Sequence, residues 1–117
     1  MSVYAELAEI PGVIAAGEYA YRGDRYNYKG QLTDEMARMA SIMCRATTMG
    51  THMQAGIMGQ NSADCLFDPA RGWMVRGPQL SVCVVANVFC FLQNQPGLLN
   101  RVARQMRERL ADVEEMI

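Results

Sequence analysis

Four cysteines, one histidine and a row of arginines near the C-terminal end are the residues of this 117-residue chain whose types could do chemistry. Cys44, Cys65, Cys83 and Cys90 form no CxxC pair and have no spacing typical of a zinc site. In a reducing compartment such cysteines serve as small buried hydrophobes. The chemical alternative is a thiol or sulfur-handling site at Cys83 and Cys90, or at Cys65, which requires an exposed thiol of lowered pKa. His52 stands among Thr51, Met53 and Gln54, with no carboxylate or cysteine at ligand or triad spacing. It therefore lacks the oriented partners that general base work or metal binding needs. The segment from Gly72 to Gly77 lacks the lysine and hydroxyl residue of a phosphate-binding P-loop. Glu18 falls in a strand and Asp64 and Asp68 in a loop, which gives no carboxylate pair for acid–base catalysis. No catalytic residue, metal ligand or cofactor site is expected, so function has to be sought in surfaces.

Composition narrows the classes further. At 13.0 kDa the chain is long enough for one compact domain, residues 1–117, and too short for two. With 50% hydrophobic and 20% charged residues it has enough apolar surface to offset chain entropy, which excludes disorder. A net charge of -1 supplies no long-range field for nucleic acid or an anionic membrane, and neither is expected as a partner. The N-terminal residues lack the pattern of a signal peptide, and no apolar stretch approaches the ~20 residues that span a bilayer. The cytoplasm is the expected location.

The elements that position these residues follow in a definite order. Val3 to Ile10 forms a short helix that Pro11-Gly12 stops. Val13 to Tyr21 and Tyr26 to Lys29 form a hairpin around Arg22-Gly23-Asp24-Arg25, whose match to an integrin-binding tripeptide is a coincidence of composition. Thr33 caps a long helix with Asp34 and Glu35 in its first turn. Met36, Met39, Ala40, Met43, Thr47, Gly50, Met53 and Ile57 run along one side, and Ile42, Ala46 and Met49 broaden the stripe. Extended to about Met58, this helix spans ~38 Å at 1.5 Å per residue, against a domain only ~35 Å across. One face therefore packs on its own sheet while another meets a partner. Gly50 and Gly56 permit close approach of a second helix.

Gly72 to Arg76 is a strand. The run from Gln79 to Leu92 would reach ~46 Å as one strand and must fold back. Ala86-Asn87 is the place, with Asn87 suited to left-handed geometry. That turn sets Val85 opposite Val88, Val84 opposite Phe89, and Cys83 opposite Cys90. Both faces of this hairpin are apolar, which calls for helices on both sides of the sheet. Asn94 caps the last helix, with Pro96 in its first turn, and Leu99, Val102, Met106, Leu110, Val113 and Ile117 form its apolar stripe. Arg101, Arg104, Arg107 and Arg109 form its outer side, where Glu108, Asp112, Glu114 and Glu115 dilute their field.

This order, with Pro11-Gly12-Val13-Ile14-Ala15-Ala16-Gly17-Glu18, Tyr28-Lys29-Gly30, Gly72-Trp73-Met74-Val75-Arg76-Gly77 and Ser81-Val82-Cys83-Val84-Val85-Ala86-Asn87-Val88, resembles the Roadblock/dynein light chain superfamily over nearly the whole chain. Within it, the motifs resemble a subfamily of small prokaryotic Roadblock-like proteins. The resemblance implies an α+β fold, a five-stranded antiparallel sheet with the long helix on one face and the two terminal helices on the other. It also implies a homodimer in which the long helices pack together and the sheet continues across two chains. By that analogy the interface includes Met39, Met43, Ala46, Gly50 and Met53, with Trp73 and Val75 on the pairing strand. The implied activity is non-enzymatic regulation through a protein partner, with small Ras-like GTPases as the leading class. Occurrence of such relatives beside sulfur-oxidation genes keeps the thiol reading as an alternative, and a small-ligand sensor is a third.

Overall fold

A computed structural model describes residues 2–61 and 70–112. Cys65, Asp64 and Asp68, and the end of the last apolar stripe at Val113 and Ile117, lie outside the described residues. Eight elements follow in order among the described residues: α1 (Val3–Ala8), β1 (Val13–Tyr19), β2 (Tyr26–Gly30), α2 (Asp34–Asn61), β3 (Gly72–Arg76), β4 (Leu80–Val85), β5 (Val88–Gln93) and α3 (Leu98–Arg109). Thr33 Oγ1 accepts the Met36 N–H at 3.1 Å, which satisfies one of the donors that a helix start leaves open and fixes the beginning of α2.

The strands form one antiparallel sheet in the order β2-β1-β5-β4-β3. The hairpin register is the expected one, with Val85 opposite Val88, Val84 opposite Phe89, and Cys83 opposite Cys90. Because side chains alternate, this register sends Cys83, Val85, Val88, Cys90 and Leu92 to one face. There α1 and α3 cover them through Leu7, Ile10, Leu98, Val102, Ala103, Met106 and Leu110. A salt bridge from Arg109 to Glu6 joins the two helices. The other face carries Tyr19, Trp73, Val82, Val84, Phe89 and Phe91 and is covered by α2. Gly17 leaves room there for the Phe89 ring, which would meet a Cβ at 2.4 Å.

The inward face of α2 differs from the stripe that its large apolar residues mark. The buried positions are Ala37, Ser41, Cys44, Thr48 and Ala55, all small and two of them hydroxylated. Their spacings of four, three, four and seven place them on one side of the helix. Small residues let the backbone settle onto an aromatic sheet face, while the sheet rather than the helix supplies the bulk.

Thr48 anchors this contact. Trp73 Nε1–H donates to Thr48 Oγ1 at 2.8 Å, and the Tyr19 hydroxyl lies 3.1 Å from the same oxygen and 3.3 Å from the Ala86 carbonyl. A consistent assignment has Trp73 donating to Thr48, Thr48 to Tyr19 and Tyr19 to Ala86. Thr48→Val keeps the shape but strands the indole N–H. It is expected to cost about 1–3 kcal/mol and to lower Tm by roughly 5–15 °C in calorimetry, whereas Thr48→Ser retains most of the stability.

Two turn assignments need correction. The left-handed residue of the β4–β5 turn is Ala86, at φ 54, and not Asn87. The Asn87 side chain instead donates to the Tyr19 carbonyl at 2.8 Å, and its backbone oxygen accepts the Tyr19 N–H. Those bonds tie the turn to β1 and leave the strained geometry to its neighbour. Likewise, Asn94 does not cap α3, and Pro96 precedes that helix. Asn94 donates to the Gly77 carbonyl at 2.7 Å and accepts from Ser81 Oγ at 2.6 Å, lacing the β3–β4 turn to the end of β5. Gly97, at φ 76, occupies the cap position without a side-chain bond.

Candidate interaction surface

At ~100° per residue, the Met-rich stripe of α2 is centred roughly half a turn from its buried face. The large residues of the stripe therefore point away from the sheet. Met36, Met39, Ile42, Met43, Met49, Met53, Ile57 and Met58 are all exposed, Met43 at 62% and Met53 at 66%. Ala46 and Gly50 are exposed among them, and a Cβ on Gly50 would meet nothing within 4 Å. Eight large side chains at this exposure amount to several hundred Å² of apolar surface. A monomer seldom leaves that much open, and a standard interface takes about 800 Å² from each partner. The mixture of thioethers, a small-residue gap and β-branched edges makes the face adaptable and close-packing.

β3 lies under the same helix. Trp73 is half-buried and held by Thr48, so its indole is already engaged within the chain. Val75 shares its face of the sheet but is 56% exposed. β3 pairs only with β4, which leaves its outer edge without a neighbouring strand among the described residues. The free strand edge thus borders the sheet face that α2 covers.

The thiols sit elsewhere. Cys83 and Cys90 face each other inside the core under α3, free and buried, and Cys44 is buried under α2. Burial pushes Cys83 up to about 11, with Arg107 opposing the rise, and Cys44 and Cys90 up to about 12. An apolar hollow of about 340 Å³ between β3 and α3 touches Cys83, Trp73, Met74 and Ala103. His52 is exposed on α2, and among the described residues no three of His, Cys, Asp or Glu come together as a metal cluster would require. The arginines of α3 are exposed, with Arg109 drawn to Glu6. Among the described residues no helix is long and apolar enough to cross a membrane.

The structure is similar to MglB of Myxococcus xanthus, at 10% identity and a TM-score of 0.64, covering 95% of this chain and 96% of that one. It is also similar to a Roadblock/LC7 domain from Streptomyces avermitilis, at 14% identity and a TM-score of 0.56, covering 93% and 95%. No curated protein matches the sequence. A family model described as "Uncharacterized conserved protein (DUF2173)" matches residues 4–108. With its five-stranded sheet between one long helix and two terminal ones, the chain has the Roadblock/LC7 fold and belongs to the DUF2173 family.

Proposed function

We propose that the chain is a non-enzymatic interaction module that forms a homodimer through the outer face of α2 and the free edge of β3, and in that form docks a protein partner. The observation that carries this reading is the direction of the Met stripe, which turns Met39, Met43 and Met53 away from the chain's own sheet. A protein-interaction role is in keeping with the Roadblock/LC7 fold, and the partner class that the superfamily resemblance implies is a small Ras-like GTPase. Fold alone does not fix the partner. The thiol alternative draws no support from Cys83 and Cys90, whose burial raises their pKa and suppresses the thiolate that sulfur chemistry uses.

Sedimentation velocity of the purified chain tests the first half. The expected species is two copies of the 13.0 kDa chain at micromolar concentration. A monomer persisting at 100-fold higher concentration would overturn it. Co-elution with small GTPases of the same organism, loaded with GDP or a GTP analogue, tests the second half. Binding that depends on the nucleotide state is the expected result. A dimer that retains none of them would keep the assembly and discard the partner class.

A further inference from the structure

The Arg22-Gly23-Asp24-Arg25 turn, set aside above as a coincidence, gains a context in the fold. It closes over α2 and forms a cleft of about 330 Å³ with Arg38, Ser41, Ile42 and Arg45. Four of the chain's 11 basic residues thus line one hollow on a protein whose net charge is -1. Asp24 is the one carboxylate in that lining, and among the described residues none of the four arginines forms an ion pair. Arg101, Arg104 and Arg109 of α3 make a contrast, since they border an open surface together with Glu108, and Arg109 is paired with Glu6.

The cleft is held in shape from within. Arg45 Nε–H donates to the Tyr21 carbonyl at 2.7 Å, fixing the guanidinium at the floor. Gly23, at φ 82, lies against it so closely that a Cβ there would sit 3.2 Å from the Arg45 side chain. The turn itself is closed by Ala20 N–H to the Arg25 carbonyl and Gly23 N–H to the Ala20 carbonyl, both at 2.8 Å. Arg38 and Arg45, seven residues apart on α2, present their charges on the same side of the helix. Like charges gathered this way repel unless an anion compensates them. The guanidinium fork matches the paired oxygens of phosphate better than it matches any neutral group. Tyr19, Tyr26 and Ile42 add an apolar wall, and the volume lies in the range of small-molecule sites, roughly 300–1,000 Å³.

We infer that this cleft binds a phosphate-bearing small molecule, its phosphate groups held by Arg22, Arg25, Arg38 and Arg45 and its less polar part against Tyr26 and Ile42. The inference goes beyond the proposed assembly and does not rest on it, because every lining residue comes from one chain.

Isothermal titration of the full chain with inorganic pyrophosphate, with ADP and with adenosine, at 20 and 150 mM salt, provides the test. Pyrophosphate and ADP are expected to bind and to weaken with salt, while adenosine does not bind. ADP binding more tightly than pyrophosphate would assign the apolar wall to the ligand body, and equal affinities would confine recognition to the phosphates. Arg22→Gln and Arg38→Gln, both at exposed positions and so expected to fold, should each weaken binding at least tenfold, and Arg101→Gln on α3 should leave it unchanged. Absence of binding by both phosphate compounds at millimolar concentration would overturn the inference. So would an equal loss in Arg101→Gln, or retention of a polyglutamate peptide alone, which would assign the cleft to an acidic protein segment.

Discussion

Met53→Glu is expected to turn the proposed dimer into a folded monomer. Met53 is 66% exposed within one chain, so the substitution touches no core contact and should change monomer stability by no more than ~0.5 kcal/mol. In a twofold assembly every substitution acts twice. Losing two buried methionines removes about 3–6 kcal/mol of association energy, a hundred- to ten-thousandfold weakening, before the cost of enclosing two carboxylates is counted. Met43→Glu should act alike, while Arg104→Glu on α3 should leave the mass unchanged. Gly50→Ala separates the two levels. Its new methyl meets open space in the isolated chain and should stabilise the helix by about 0.8–1 kcal/mol, yet it should weaken association if two helices cross near that point. Sedimentation equilibrium beside thermal unfolding reads both effects. A Met53→Glu protein that remains dimeric would place the interface elsewhere.

The second large effect concerns alkaline pH. In the folded protein burial holds Cys83 at about 11 and Cys44 and Cys90 at about 12, against an ordinary value of 9.0. Below pH 9 both folded and unfolded chains keep these protons, and stability is unaffected. Above it the unfolded chain releases them while the folded chain retains them, so stability falls until the folded values are passed. Each thiol contributes about 1.4 kcal/mol per pH unit, and three together about 4. Burial also raises Tyr19 above 10.0, which steepens the loss at the upper end. The three thiols together can remove no more than ~11 kcal/mol, so a stability in the lower half of the usual range of about 5–15 kcal/mol would be exhausted between about pH 10 and 12. Urea unfolding under reducing conditions from pH 7 to 11 measures the slope. Replacing Cys44, Cys83 and Cys90 together by Ala should flatten it. A wild-type slope near zero between pH 9.5 and 10.5 contradicts the assignment of these thiols as buried and protonated.

Much of the sheet was legible because alternation and turn chemistry are local. The fold-back at Ala86-Asn87 alone determined which residues of β4 and β5 face each other, and Thr33 marked the start of α2 through its own side chain. The inward face of α2 was not legible. Periodicity of large apolar residues points to the most hydrophobic side, and here that side faces outward. The signal for the true inner face was a run of small residues, Ala37, Ser41, Cys44, Thr48 and Ala55, matched to aromatic positions on the sheet. Asn94 looked like a cap because asparagine before a helix usually is one, and only the folded β3–β4 turn shows its side chain otherwise engaged. The arginine cleft was hidden because Arg22 and Arg25 lie in a turn while Arg38 and Arg45 lie on a helix. Only the packing of hairpin against helix gathers their charges.

The strand order has an implication for how the chain comes together during synthesis. The middle of the sheet joins β1 to β5, with Ala16 beside Cys90, so its central seam closes a loop of roughly 70 residues. That closure costs about 4 kcal/mol of chain entropy before any contact across it forms. A nascent chain that has left the ribosome only through α2 holds its first hairpin and a long helix but has nothing to lay along the inner edge of β1. The strand that arrives late, β5, fills the gap between β1 and β4, and until then the aromatic face of the first hairpin has only α2 to lean on.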